Sequence, residues 1–429
     1  MLCSVSPVDI VQQRPGFGQV VHPVRGSIVA SPVPGAYDPN PDYFFHWYRD
    51  AALVIDALRL LYVSGTVENE AITHLADFVR FNLSLQTLDG RRLGIGDSRR
   101  AKIREDFYRF LRTDEDLGTV YDDATLAEAR VNPDASLDIA RWPRPQHDGP
   151  PLTALTLLRW TRAASFDDHL SAAISSLVRT YLDFTSRHWS EPCYDIWEEE
   201  KGQHYYTQRV SAAALIEGVD WLKRQGEHAL AARYAAQVQT IYRQLEQFWC
   251  ADAGHYRSRI LESGQRSGKE LDIAVILATI HADARNGSHS AADPRLQATL
   301  AQLEHRFDAD YAINHHRPAG TGTAMGRYPG DVYYSGGAYY FSTLGAAEFC
   351  FHAALTGGDA KTWIARGDAY LTTVRRYTPA TGALSEQFDQ TSGAQTSAPD
   401  LAWSYAAFIS CITARRRCMG HPAHGLVTG

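Results

Sequence analysis

YRDAALVIDALRLLYV, residues 48 to 63, spreads Leu53, Val54, Ile55, Leu58, Leu60 and Leu61 around most of a helical circumference. Such a helix must be buried on nearly every side. SAAISSLVRTYLDF, residues 171 to 184, instead gathers Ile174, Leu177, Val178, Tyr181 and Leu182 into one apolar stripe, with Ser175, Ser176, Arg179 and Asp183 off it. Two helix environments imply two layers. The same 3.6-residue period predicts helices over 48–64, 67–88, 149–165, 167–188, 205–225, 227–249, 268–282, 293–307, 339–356, 360–377 and 400–417. Most pair as hairpins through short connections such as VSGTVENE (63–70) and GGDA (357–360), the second with Gly to stop one helix and Asp to start the next. No set of alternating runs is large enough for a sheet core. Repeated hairpins with a buried inner and an amphipathic outer member predict an all-α toroid, an (α/α)6 barrel. It would be a single domain over 1–429, partly irregular at 1–40 and flexible at 418–429. An open solenoid is the alternative, but no fixed-period repeat supports it.

Composition narrows the function. The 429 residues are 45% hydrophobic and 21% charged, which suits a large core and excludes a disordered chain. A net charge of -7 offers no attraction to nucleic acid or an anionic membrane, and no stretch is long enough to span a bilayer. A neutral ligand fits better, and the 9 Trp and 22 Tyr, many in loops, suit the flat faces of sugar rings. The six cysteines show no paired spacing, and MLCSVSPVDIVQQRPG lacks a basic start followed by an apolar core, so reduced thiols and a cytoplasmic location are expected. HExxH, GxSxG and GxGxxG do not occur, GQRSGK (264–269) has the wrong spacing for a phosphate loop, and His315 and His316 read as loop polar residues. Neither metal nor cofactor is expected.

The unusual sequence lies between the helices, in loops at 30–47, 89–148, 189–204, 250–267, 308–338 and 378–399 that a closed barrel would gather largely at one end. PDYFFHWYRDAA (41–52) carries Tyr43, Trp47, Arg49 and Asp50, and WPRPQHDGPP (142–151) carries Trp142, Arg144 and Asp148. YDIWEEEKGQHYYT (194–207) sets Trp197 before Glu198, Glu199 and Glu200. GRYPGDVYYSGGAYY (326–340) holds Tyr339, and GALSEQFDQTSG (382–393) holds Glu386 and Gln387. Plainer roles exist: Asp50 can complement a helix dipole with Arg49 as its ion-pair partner, and the glutamate run can cap the next helix. Two carboxylates on separate loops at one barrel end are nevertheless the minimum for glycosidic cleavage, where one acid protonates the leaving oxygen and another group activates water or attacks. An indole that displaces water and neighbouring like charges both raise a carboxyl pKa, as a proton donor requires.

These segments, with LSEQFDQTSGAQTSAPDLAWSYAA completing the last, resemble in the same order the five that mark the glucoamylase family, glycoside hydrolase family 15, over about residues 26–416. The resemblance implies an (α/α)6 barrel and an inverting exo-hydrolase that removes glucose from non-reducing ends of α-glucans without a metal. Glu198 matches the general acid, Glu199 a carboxylate on the leaving side and Glu386 the general base. Arg49 and Asp50 match groups that hold the terminal glucose, and Tyr43 and Gln387 match groups near the attacking water. Trp142 and Trp197 match aromatics around the sugar, Arg144 and Asp148 support that wall, and Trp47 and Tyr339 complete the expected binding set. Inversion requires the carboxyls of Glu198 and Glu386 to lie about 6.5 to 9.5 Å apart.

Departures from the family cluster on the leaving side. Asp308 stands where an arginine is usual, Gly330 where Glu is common and Tyr339 where Trp is common. An α-1,6 glucohydrolase acting on isomaltose therefore stays beside an α-1,4 enzyme, and a glucan-binding protein without turnover is the reading from another class. An epimerase lacks redox or His-based chemistry in these loops. No β-rich starch-binding module is visible. The family opens with a barrel helix before the first motif, for which the proline-bearing SVSPVDIVQQRPG (4–16) is a poor substitute, so eleven helices are expected rather than twelve.

Overall fold

In a computed structural model, which describes residues 1–36, 39–93, 101–284, 286–357 and 359–420, eleven long helices form. They are α1 (Tyr48–Val63), α2 (Asn69–Leu85), α4 (Gly149–Ala163), α5 (Asp168–His188), α6 (Tyr205–Arg224), α7 (His228–Leu245), α8 (Ala274–Ala282), α9 (Pro294–Asp310), α10 (Tyr340–Leu355), α11 (Ala360–Tyr377) and α12 (Ala402–Cys418), while α3 (Asp114–Gly118) is a short loop helix. Helices α1, α4, α6, α8, α10 and α12 pack side by side, and α12 closes the ring against α1. Helices α2, α5, α7, α9 and α11 lie outside them.

Side-chain pattern assigns the layers. Every residue of α10 from Tyr340 to Ala353 is buried, whereas α5 buries Ile174, Leu177, Val178, Tyr181 and Leu182 and leaves Ser176 exposed. The start of α4 meets α1 so closely that a Cβ on Gly149 would lie 2.5 Å from the Tyr48 Cβ, which only glycine avoids.

The predicted helix at 268–282 begins later, at Ala274, just after Asp272, whose Oδ1 accepts the Ala274 N–H at 2.8 Å while its other oxygen is held by Arg259 and Trp197. The predicted 227–249 helix stops at Leu245 and passes into a 3-10 turn, Glu246–Phe248. Ahead of α1 the described residues hold 3-10 turns and the antiparallel pair Gln12–Arg14 with Gln19–Val21, and among them no outer helix backs α12, where Phe408 stays 43% exposed. Residues 37 and 38 of the expected irregular stretch, and 421–429 of the expected tail, lie outside the described residues. Among those described, no helix is long and apolar enough to cross a membrane.

Small antiparallel ribbons stitch the loops together at one end. His46–Trp47 pairs with Arg130–Val131, Lys201–His204 bridges Cys193–Tyr194 and Arg259–Leu261, and Gln387–Phe388 bridges Ala338–Tyr339 and Gln395–Thr396. Trp47, His204 and Tyr339 each end a strand and immediately precede an inner helix, so the ribbons deliver side chains to the N-terminal mouth of the ring.

Candidate active site

A tight turn presents Glu198. Its N–H donates to the Asp195 carbonyl at 2.9 Å, the Glu199 N–H donates to Asp195 Oδ1 at 2.9 Å, and the Asp195 N–H donates to the Glu200 carbonyl at 3.2 Å. Glu198 is thereby held at φ +63, a left-handed conformation that costs a non-glycine residue about 1–3 kcal/mol and persists only where its surroundings enforce it. Arg259 is the enforcing group: buried, it pairs with Asp195, Glu200 and Asp272, and Asp272 in turn accepts the Trp197 indole N–H at 2.9 Å. Arg259→Met strips the cation from this cluster and is expected to lower unfolding free energy by about 3–5 kcal/mol in a denaturant titration. An unchanged midpoint would mean that the turn is held by something else.

The indoles that touch Glu198 are Trp47 and Trp142. Trp47 Nε1–H donates to Oε1 at 2.7 Å and Trp142 Nε1–H to Oε2 at 2.6 Å, with Arg49 Nη2 at 3.7 Å from Oε1. Trp197, the sequence neighbour, turns instead to Asp272 and lies parallel to Phe341 and Trp403, because the left-handed turn sends consecutive side chains apart. Burial raises the Glu198 pKa, against Arg49, Arg130 and the two indole donors.

Glu386 is fixed by its backbone, its N–H donating to the Ala398 carbonyl at 2.8 Å. Ser397 Oγ–H donates to its Oε2 and the Tyr43 hydroxyl to its Oε1 at 3.4 Å, while Tyr43 also meets the Tyr333 hydroxyl at 2.8 Å. Burial pushes this carboxyl up to about 7, with Ser397 the strongest opposing group.

Glu198 and Glu386 line one cavity, with Tyr43, Trp47, Arg49, Asp50 and Trp197 from the expected set and with Arg327, Phe341 and Trp403 beyond it. Trp142 and Glu199 border its wider mouth beside Tyr333 and Tyr334. Arg49 is clamped by Asp50 at 3.2 Å and by the buried Asp148 at 3.4 Å. Arg49 Nε is buried without a hydrogen-bond partner among the described residues, and Asp50 Oδ2 has only its ion pair with Arg49 Nη2. Such atoms are normally satisfied, and a hydroxyl-rich ligand supplies both a donor and an acceptor.

Four expected residues stand behind the wall. Asp148 acts on Arg49, and Arg144 donates to Glu128 at 2.8 Å and to the Trp142 carbonyl at 2.9 Å. Gln387 and Tyr339 are wholly buried, the amide of the first donating to the hydroxyl of the second at 2.8 Å, and that hydroxyl reaching Asp331 at 3.3 Å. Asp308 pairs with Arg317 and Thr323 and lines neither cavity. The arginine beside Glu199 is Arg327, at 3.1 Å, and Glu199 also takes Lys269 at 2.6 Å and the Tyr328 hydroxyl. Gly330, at φ +77 with open space around it, serves a turn. Arg327, Lys269 and Trp403 lie within GRYPGD, GQRSGK and DLAWSY, and Phe341 lies in the predicted helix 339–356. Among the described residues, no three His, Cys, Asp or Glu side chains cluster as metal ligands do.

A closed ring of helices with two buried carboxyls sharing an aromatic-walled pocket at its loop end defines a glycoside hydrolase barrel. The sequence pattern of the glycosyl hydrolases family 15 matches residues 16–366 and 359–413, and the chain belongs to that family. A glucoamylase of Neurospora crassa is 30% identical over 93% of this chain and 65% of its own, and glucoamylase 1 of Rhizopus oryzae is 28% identical over 88% and 65%. The chain thus spans about two thirds of the length of these relatives. The family 15 glucoamylase of Hypocrea jecorina superposes with a TM-score of 0.77 at 25% identity, covering 92% of this chain and 67% of that one. The Saccharomycopsis fibuligera glucoamylase has the same fold, with a TM-score of 0.75 at 20% identity over 92% and 89%.

Proposed function

We propose that the chain is an inverting, exo-acting α-glucosidase that releases β-glucose from non-reducing ends of α-1,4-linked malto-oligosaccharides or glucans. The observation that carries this reading is a shared pocket for Glu198 and Glu386 in which Arg49 Nε has no hydrogen-bond partner among the described residues and Asp50 Oδ2 has only its ion pair with Arg49. The stacked pair Phe341 and Trp403, centroids 4.2 Å apart at 3°, backs that pocket, so only a chain end enters and single units leave. Arg49 and Asp50 bind the hydroxyls of that end through charge-assisted hydrogen bonds, and Glu199, braced by Arg327, Lys269 and Tyr328, meets the next unit. Glu198 protonates the leaving oxygen while Glu386, oriented by Ser397 and Tyr43, takes a proton from water. The names of the glucoamylase relatives support the same substrate class.

Protonation supplies a test. In the free protein burial raises both carboxyls, Glu386 to about 7 and Glu198 against the opposing Arg49, Arg130 and two indole donors. Reaction needs Glu198 protonated while Glu386 is ionised. A sugar seated against Glu198 excludes water from that carboxyl, while the attacking water solvates Glu386, and both changes move the pair toward that state. The acid limb of kcat/KM, which reports the free enzyme, is therefore expected near 7, and that of kcat at lower pH. Ser397→Ala removes a donor to the ionised form, so the Glu386 pKa rises and the kcat/KM limb moves to still higher pH. A limb that stays in place, or moves down, contradicts the assignment of the base.

Maltose, maltotriose and isomaltose offered separately, with the released anomer followed by NMR at early times, test the reaction itself. Initial β-glucose is expected, and initial α-glucose refutes inversion. Faster turnover of isomaltose transfers the reading to α-1,6 linkages, and binding of all three without any glucose release transfers it to a glucan-binding protein.

A further inference from the structure

We propose that Arg130 is a positioning residue for the proton donor, its guanidinium clamping Trp47 and Trp142 so that each indole N–H meets one oxygen of Glu198. The proposal rests on the reading of Glu198 as general acid. Nothing in the loop sequence TLAEARVNP (125–133) singles this arginine out. Strand register does: Arg130 lies directly opposite Trp47 in the two-stranded ribbon, which puts both side chains on one face. Its Cζ sits 3.6 Å over the Trp142 ring, 4.9 Å over Trp47 and 4.0 Å over Phe45.

The contact is built rather than incidental. Arg130 is 1% exposed, and its Nε–H donates to Asp138 Oδ2 at 2.9 Å. Asp138 Oδ1 accepts the Ala140 N–H at 2.8 Å, which ties the clamp to the segment leading into Trp142. Nη2 is buried with no hydrogen-bond partner among the described residues, so the aromatic faces take the place of an acceptor. The planar guanidinium suits two ring faces at once, as an ammonium does not. Trp47 and Trp142 meet edge to face at 6.2 Å, and a shift of either withdraws an N–H from Glu198.

The charged groups around Glu198 are few. Arg49 faces it from α1, with Asp50 and Asp148 held on that arginine, and Arg130 faces it from behind the indoles. Adjacent Glu199 is neutralised by Arg327 and Lys269. Arg130 opposes the upward push of burial on Glu198, next after Arg49, so removing its charge raises the pKa of the proton donor.

The test compares Arg130→Met and Arg130→Lys on maltose and on α-glucosyl fluoride, whose leaving group needs no proton. For Arg130→Met, kcat on maltose is expected to fall about 10- to 100-fold with KM nearly unchanged, turnover of the fluoride to hold, and the alkaline limb of kcat/KM to rise by about one unit. Arg130→Lys keeps that limb at its wild-type pH, because the charge remains, and still loses turnover of maltose, because the plane does not. Equal loss on both substrates, or an unmoved limb in Arg130→Met, overturns the proposal. Should Arg130→Met not fold, the lysine variant alone decides: a displaced limb, or full activity on maltose, overturns it. Glu198→Gln run in parallel separates the two readings. If it spares the fluoride while Arg130→Met does not, Glu198 stands as the acid and the Arg130 assignment alone fails. If it loses both substrates equally, the acid assignment fails first.

Discussion

Glu198→Gln is expected to lower kcat on maltose about 100- to 10,000-fold, the usual contribution of a positioned general acid, while hydrolysis of α-glucosyl fluoride falls far less. The substitution preserves volume and removes the transferable proton. It also disturbs the donor set. Trp47 and Trp142 each aim an N–H at one oxygen, and an amide has a single oxygen to offer, so one indole must face an NH2 group. Part of the loss is therefore misorientation, which the fluoride measures separately because it still needs an ordered pocket but no proton. Steady-state kinetics on the two substrates check the point. A loss of equal size on both removes Glu198 from the role of acid.

Glu386→Gln is expected to lose about 100- to 10,000-fold on both substrates, because water must be activated whatever the leaving group. Binding of maltose, measured by calorimetry, should survive, since Arg49 and Asp50 are untouched. Stability gives an independent reading with a definite sign. The carboxyl stands at about 7 in the folded protein against an ordinary 4.5, so the folded state holds its proton more tightly than the unfolded chain does. Stability from this group is present below pH 4.5 and is lost as pH rises toward 7. The neutral glutamine avoids the buried charge, so the variant should melt above wild type at pH 8 and near it at pH 4. A variant less stable at pH 8 would show that Glu386 is solvated or paired there.

Much of this molecule was legible locally. The apolar period is a property of consecutive residues, and it located all eleven long helices, the inner character of α1 and the wet face of α5. The proline-rich start forecast irregular chain ahead of α1, and the five ordered segments named the family together with Glu198, Glu386, Arg49 and Asp50, which share the pocket. Misplaced boundaries fall where a local turn overrides the period, as where α7 passes into a 3-10 turn after Leu245.

Partnership was not legible. That Trp47 and Trp142, rather than Trp197, hold Glu198 follows from one left-handed residue; that Arg130 stacks behind them follows from the register of a two-residue ribbon. That Tyr339 and Gln387 brace the wall instead of facing the pocket, and that Arg327 and not a residue near Asp308 meets Glu199, follows from closure of the ring, which brings together loops far apart in the chain. A helix repeats every few residues and so writes itself into any short stretch. A turn angle, a strand register and a ring closure are each set once, by groups distant in sequence, and leave no periodic trace to read.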